Sequence, residues 1–166
     1  LSLHDALPIF SEGLYDAMAG IPALHARIMA AEAAQALAYE AMIAPDQLSQ
    51  GLQAQIAQGA AQSSAQRHAD RAQMIALRQR AMAETRPGDI WLTPATPGAA
   101  PPFDSGTGDP IFNRIWSLLG FPCCTVPILR DPARRPMGVQ VVGRHGDDRA
   151  VLSVAHWLLE RFGAGV

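Results

Sequence analysis

Residues 90–142 read IWLTPATPGAAPPFDSGTGDPIFNRIWSLLGFPCCTVPILRDPARRPMGVQVV, and the order of elements in this stretch decides the fold class. A short apolar strand over Asp89–Thr93 runs into Pro94. The loop from Pro94 to Gly108 holds four prolines and three glycines, a composition that neither a helix nor a central strand accepts. Asp109-Pro110 then reads as a helix start, with the acid at the N-cap and proline at the first helical position. Ile111, Phe112, Ile115, Trp116, Leu118 and Leu119 give that helix a wide apolar stripe, and Gly120 stops it. Cys123–Ile128 and Met137–Val142 read as strands. The β-branched run Val139, Val141 and Val142 predicts burial on both faces. Eight residues separate the two strands, too few for a parallel crossover, so an antiparallel pair is expected.

Working outward, Asp147 or Asp148 caps a last helix reaching Phe162. Its inner face is Val151, Val154, Ala155, Leu158, Leu159 and Phe162. Upstream, residues 11–86 are rich in Ala and Gln and predict three helices. The first covers Ala23–Ala44 behind Pro22, and the second covers Asp46–Gln58 and ends at Gly59. The third runs from Ser63 or Ser64, either able to cap it, to Thr85. Arg67, Arg71, Arg78 and Arg80 place much of the third helix's outer face in solvent. The division is therefore a helical segment, 11–86, followed by an α/β segment, 87–166. The chain opens on Leu1 rather than Met, and Ala6-Leu7-Pro8-Ile9 matches one reading frame of a common sequencing adapter. Residues 1–10 are accordingly expected to be non-native or disordered.

The 166 residues are 49% hydrophobic and 17% charged, with a net charge of −2. This is a globular composition, with no basic block for nucleic acid and no apolar run of membrane-spanning length. All 13 basic residues are Arg, so a reaction that needs a lysine cannot be completed by these residues. Adjacent Cys123 and Cys124 point to opposite faces of a strand and are not expected to bridge. They read as buried, reduced thiols of a cytoplasmic protein.

Five ordered motifs resemble the C-terminal part of the amidase-signature hydrolases. They are Leu92-Thr93-Pro94; Thr107-Gly108-Asp109-Pro110 with Phe112-Asn113 and Trp116; Gly120-Phe121-Pro122 with Val126-Pro127; Pro136, Gly138, Gln140, Val142 and Gly143; and Gly146-Asp147-Asp148. The resemblance covers roughly residues 87–162. It implies an α/β fold, the C-terminal part of an α/β/α sandwich around a mixed sheet, preceded by the three helices. It also implies a parent that hydrolyses a small-molecule carboxamide to an acid and ammonia or an amine. The family's chemistry uses a nucleophilic serine, a second serine and a lysine base. None of these can be placed here: lysine is absent, and Ser63-Ser64 lies at a helix start without a glycine-rich turn. The resemblance leaves Asp109, Phe112 and Asn113 as candidates for lining the substrate cleft. Each also has a plain structural reading, as N-cap, core residue and loop anchor respectively.

No cofactor is called for. His145-Gly146-Asp147-Asp148 lacks a second histidine at ligand spacing and reads as a turn with a helix cap. Ser105, His145 and Asp147 lack the nucleophile elbow of a hydrolase triad. The rival to a hydrolase fragment is a non-catalytic helical interaction or scaffold module. For either reading, an incomplete sheet predicts an open strand edge, exposed apolar surface and self-association.

Overall fold

The computed structural model describes Asp16 and residues 18–163; the expectation for residues 1–10 lies outside them. The helical segment begins with α1 (Ile21–Ala36) and α2 (Ala38–Ile43). A kink at Leu37 divides what the sequence suggested as one helix, although Leu37 N still donates to Ala33 O and Ala41 N to Leu37 O. The second helix starts later than expected. Pro45–Gln47 forms a 3₁₀ turn, and α3 (Gln50–Ala60) is capped by Ser49, whose side chain accepts from Leu52 N. Gly59 is not its terminator. It is buried within the last turn, where a Cβ would overlap the Ala30 carbonyl of α1. Its missing side chain lets the two helix backbones touch. Helix α4 (Ser64–Ala83) is capped by Ser63, which accepts from Gln66 N at 3.1 Å; of the two serines that the sequence offered as caps, it is the first.

The strands are β1 (Ile90–Pro94), β2 (Cys123–Arg130) and β3 (Pro136–Gly143), ordered β1-β3-β2. Both pairings are antiparallel, with Thr93 and Thr125 each opposite Gln140. The ladder between β2 and β3 slips between Val126 and Leu129. Pro127, which has no N–H to give, sits inside that irregularity, where a strand tolerates proline.

Between β1 and β2 lies α5 (Arg114–Leu119). It starts later than Asp109-Pro110 suggested, because Pro110–Asn113 closes a turn first: Asn113 N and Arg114 N both donate to Pro110 O, at 2.9 and 3.1 Å. Asp109 therefore caps nothing and instead pairs with Arg114 at 3.3 Å. Gly120 ends α5 in the left-handed region (φ 65°), and Phe121 N reaches back to Trp116 O at 2.9 Å. This is the closure that glycine permits without a Cβ clash.

The sheet is covered on both faces. Val142 joins Ile21 and Leu24 of α1, Leu77 and Ala81 of α4, Trp116, Leu118 and Leu119 of α5, and Phe121. Val141, one residue earlier and so on the opposite face, packs with Val126 and with Val151, Ala155 and Leu158 of α6 (Asp148–Phe162). This α/β/α layering explains the burial of Gln140, Val141, Val142 and Gly143. Each of the two valines contributes roughly 1.5–3 kcal/mol by leaving water.

Two burial expectations and one capping expectation are corrected. Leu159 and Phe162 are exposed, because α6 lies over β2 and β3 on Val151, Ala155 and Leu158, with half-buried Val154 beside them. Cys123 is exposed and Cys124 half-buried, and both are free thiols. Finally, Asp147 occupies the N-cap of α6 without a side-chain cap bond; its carboxylate accepts instead from Gly88 N at 3.2 Å.

Candidate functional site

The loop leaving β1 and returning at α5 carries the three residues picked out from the sequence. Its start is fixed by Ala95, a buried residue whose N–H donates to Gly138 O at 3.1 Å. Gly138 makes that approach possible, since a Cβ there would overlap the Thr125 side chain and crowd Ala95. The loop then rises to a 3₁₀ turn at Phe103–Ser105 that leaves Phe103 97% exposed. It comes down through Asp109 to the Pro110–Asn113 turn.

Asn113 is half-buried and does two things. Its Nδ2 donates to Ala95 O at 3.1 Å, tying the end of the loop to its beginning. Its Oδ1 accepts from Gln140 Nε2 at 2.6 Å, and Gln140 Oε1 accepts from Thr93 Oγ1 at 3.2 Å. Gln140 and Thr93 are buried, and this relay satisfies both ends of the Gln140 amide. Phe112 is half-buried beside Asn113. Asp109 is largely exposed, and its carboxylate faces the Arg114 guanidinium. Behind Arg114, His25 of α1 is held below the ordinary histidine range, first by burial and then by the Arg114 charge, with Glu32 opposing.

Sequence reasoning thus brought Phe112 and Asn113 to one turn but missed Gln140 and Thr93, which hold that turn to the sheet. The available signal was a lone amide in a run of buried valines, a group that requires partners.

The reactive groups named from the sequence are engaged elsewhere or held apart. Although Cys123 is exposed as a residue, the protein packed around its sulfur displaces water and pushes the thiol up to about 11, so it stays protonated at neutral pH, and its Sγ lies 3.4 Å from Phe121 O. The imagined triad is dispersed. His145 Nδ1 bonds Gly120 O at 2.6 Å, Asp147 holds Gly88, and Ser105 belongs to the exposed 3₁₀ turn. Among the described residues no group of three His, Cys, Asp or Glu side chains is arranged to hold a metal, and no helix is long and apolar enough to cross a membrane. A groove of about 350 Å³ lies between α1 and α4, beside Glu32, Gln62, Arg67 and His68, away from the loop.

No family model matches the chain. Over 82 residues it is 39% identical to the A subunit of glutamyl-tRNA(Gln) amidotransferase from Zymomonas mobilis, an alignment covering 45% of this chain and 17% of that one. Over 78 residues it is 33% identical to the mitochondrial form of the same protein from Ornithorhynchus anatinus, covering 42% and 15%. A solved amidase structure superposes on 92% of this chain and 36% of its own, with a TM-score of 0.73 and 27% identity. The chain carries the C-terminal portion of an amidase-signature fold. It spans about a sixth of the length of the curated relatives it matches. The amidase-signature likeness to the solved structure takes in the helical segment as well as the strands, since 92% of the chain superposes.

Proposed function

We propose that this chain forms the C-terminal part of a domain that hydrolyses a carboxamide to an acid and ammonia or an amine. The superposition on a solved amidase over nearly the whole chain carries the reading. The identity to amidotransferase subunits, whose names describe amide-nitrogen transfer, supports it. In this reading residues 11–86 and 87–166 act as one incomplete unit, consistent with the core they share around Val142. Asp109, Phe112 and Asn113 form one wall of the cleft for a small-molecule amide. Phe112 offers apolar surface to the acyl part, Asp109 an acceptor at the mouth, and Asn113 the anchor beneath them.

The wall does not cut the bond. With no lysine in the sequence and Ser63 engaged as a helix cap, the nucleophile and base come from outside these residues. The free cysteines fit a reducing, cytoplasmic setting. Purified, the 166-residue chain should turn over neither amide nor ester substrates. The reading frame upstream in the source genome should encode a Gly/Ser-rich stretch and a lysine. Robust turnover by the chain alone, untouched by serine-directed covalent inhibitors, would sink the reading, and so would a start codon directly before this segment.

Self-association belongs to the same proposal. On α6, Leu152 (60%), Trp157 (57%), Leu159 and Phe162 are exposed, and Leu92 continues that side of the sheet. Apolar surface on this scale favours a contact with a second copy. Sedimentation should show mass rising with concentration, and the Leu152→Glu/Leu159→Glu double substitution should return the chain to monomer without loss of helix content. A wild-type monomer at high concentration would contradict this.

A further inference from the structure

We infer that Gln140 is a positioning residue for the cleft loop, setting through Asn113 where residues 96–112 sit. The inference rests on the amidase reading only for what the loop is for; the clasp itself stands on its geometry.

Three observations carry it. First, the hydrogen bonds run in one direction. Thr93 Oγ1 donates to Gln140, Gln140 Nε2 to Asn113, and Asn113 Nδ2 to Ala95 O. Second, the clasp joins the two ends of the loop. Ala95 opens it and Asn113 closes it, and each is also held by a backbone bond, to Gly138 O and Pro110 O respectively. A long loop with pinned ends is a compact unit whose placement follows its base. Third, Gln140 is 3% exposed on the central strand, so its amide is fixed by packing, whereas residues 100–111 are exposed and the bond that reaches them from Arg135 Nη1, to Ala100 O, is long at 3.4 Å. The rigid sheet therefore sets the loop, and with it Asp109 and Phe112.

The polarity of the relay makes a sharp test. Gln140→Glu keeps the shape of the side chain. A carboxylate still accepts from Thr93, but it faces Asn113 Oδ1 as acceptor to acceptor. Turning the Asn113 amide over would mend that contact and set its oxygen against Ala95 O. Either way the clasp loses a link. Thr93→Val, by contrast, removes only the far end of the relay and leaves the Gln140–Asn113–Ala95 part intact.

Amide exchange and limited proteolysis on the 166-residue chain read the outcome. Gln140→Glu and Asn113→Ala should each speed exchange at Ala95, Asn113 and Arg114 about tenfold or more, and raise cleavage within 96–112 similarly. Amides of the β2–β3 ladder should stay within about twofold. Thr93→Val should leave the loop unchanged. Asn113 is the single asparagine, so its side-chain amide is told from those of the glutamines by its connection to Cγ and Cβ; it should be protected in the wild type and lose protection in Gln140→Glu. Unchanged loop exchange in Asn113→Ala overturns the proposal, even if Gln140→Glu fails to fold. A rise spread evenly over sheet and loop also overturns it, since that marks general destabilisation. None of these readouts needs amide turnover, so the clasp and the amidase reading fail separately.

Discussion

Replacing Trp116 with alanine is expected to cost about 3–5 kcal/mol, a large share of the whole stability of a domain this size. Trp116 is 2% exposed and sits at the junction of three parts of the fold. Its ring lies 6.2 Å from Trp91 of β1 at an interplanar angle of 5°, and 6.2 Å from Phe121 after α5 at 20°. Trp91 and Phe121 are themselves 6.1 Å apart. Removing the indole deletes one of the two tryptophans of this triangle and leaves a void against Leu24, Leu77 and Val142, which belong to separate elements and cannot all collapse inward. Denaturant unfolding would read the change as a lower midpoint. A shift worth less than about 1 kcal/mol would mean that the triangle is not the keystone of this core.

Asp70→Ala should follow at about 2–3 kcal/mol. The Asp70 side chain is 3% exposed. It accepts from Arg27 Nε and Nη2 and from Gln66 Nε2, all between 2.8 and 3.1 Å. The Arg27 side chain is 40% exposed, so water takes up part of its charge when the partner is lost, and the cost stays below that of a fully buried pair. The same contact gives a pH dependence. Hydrogen bonding from Arg27 holds the Asp70 carboxyl below the usual carboxylate range, against the opposing pull of burial. A depressed folded value means the stabilisation is complete above the unfolded carboxylate value, near 4, and is lost as pH falls through the folded one. Thermal melts of the wild type should thus drop more steeply than those of Asp70→Ala on acidification below about pH 4. Parallel curves would remove Asp70 from the account.

The elements that rest on local rules are readable in the sequence. The Ser63 cap, the Gly120 stop and the antiparallel return through Asp131–Arg135 each follow from chemistry within a few residues. What escaped depends on distant partners. Asp70 lies in a helix whose arginines suggested a solvated face, and its partner Arg27 is 43 residues away. Arg78 in the same helix reaches Leu119 O at 2.6 Å. The helical period placed Leu159 and Phe162 on the inner face of α6, but periodicity carries no information about how far the sheet beneath extends. Asp109-Pro110 has the chemistry of a helix start and was overruled by Asn113, whose side chain is committed to Ala95 and Gln140. The candidate site was legible as a stretch of chain but not as a device, because its organising residue comes from another strand.

Pro127 bears on how copies of this chain would meet. A strand that offers a continuous row of donors and acceptors can template the next strand and grow into a fibre. Along β2 that row is interrupted at Pro127, and the slipped register from Val126 to Leu129 bends the rest of the strand. Only Cys123–Val126 remains as regular edge, shorter than the six or seven residues from which cross-β stacks are built. Growth through this edge is therefore cut short, and the other edge, β1, is only five residues long and ends at Pro94, so the proposed contact between copies would fall to the side chains of α6. Such assemblies come apart on dilution, whereas fibres do not.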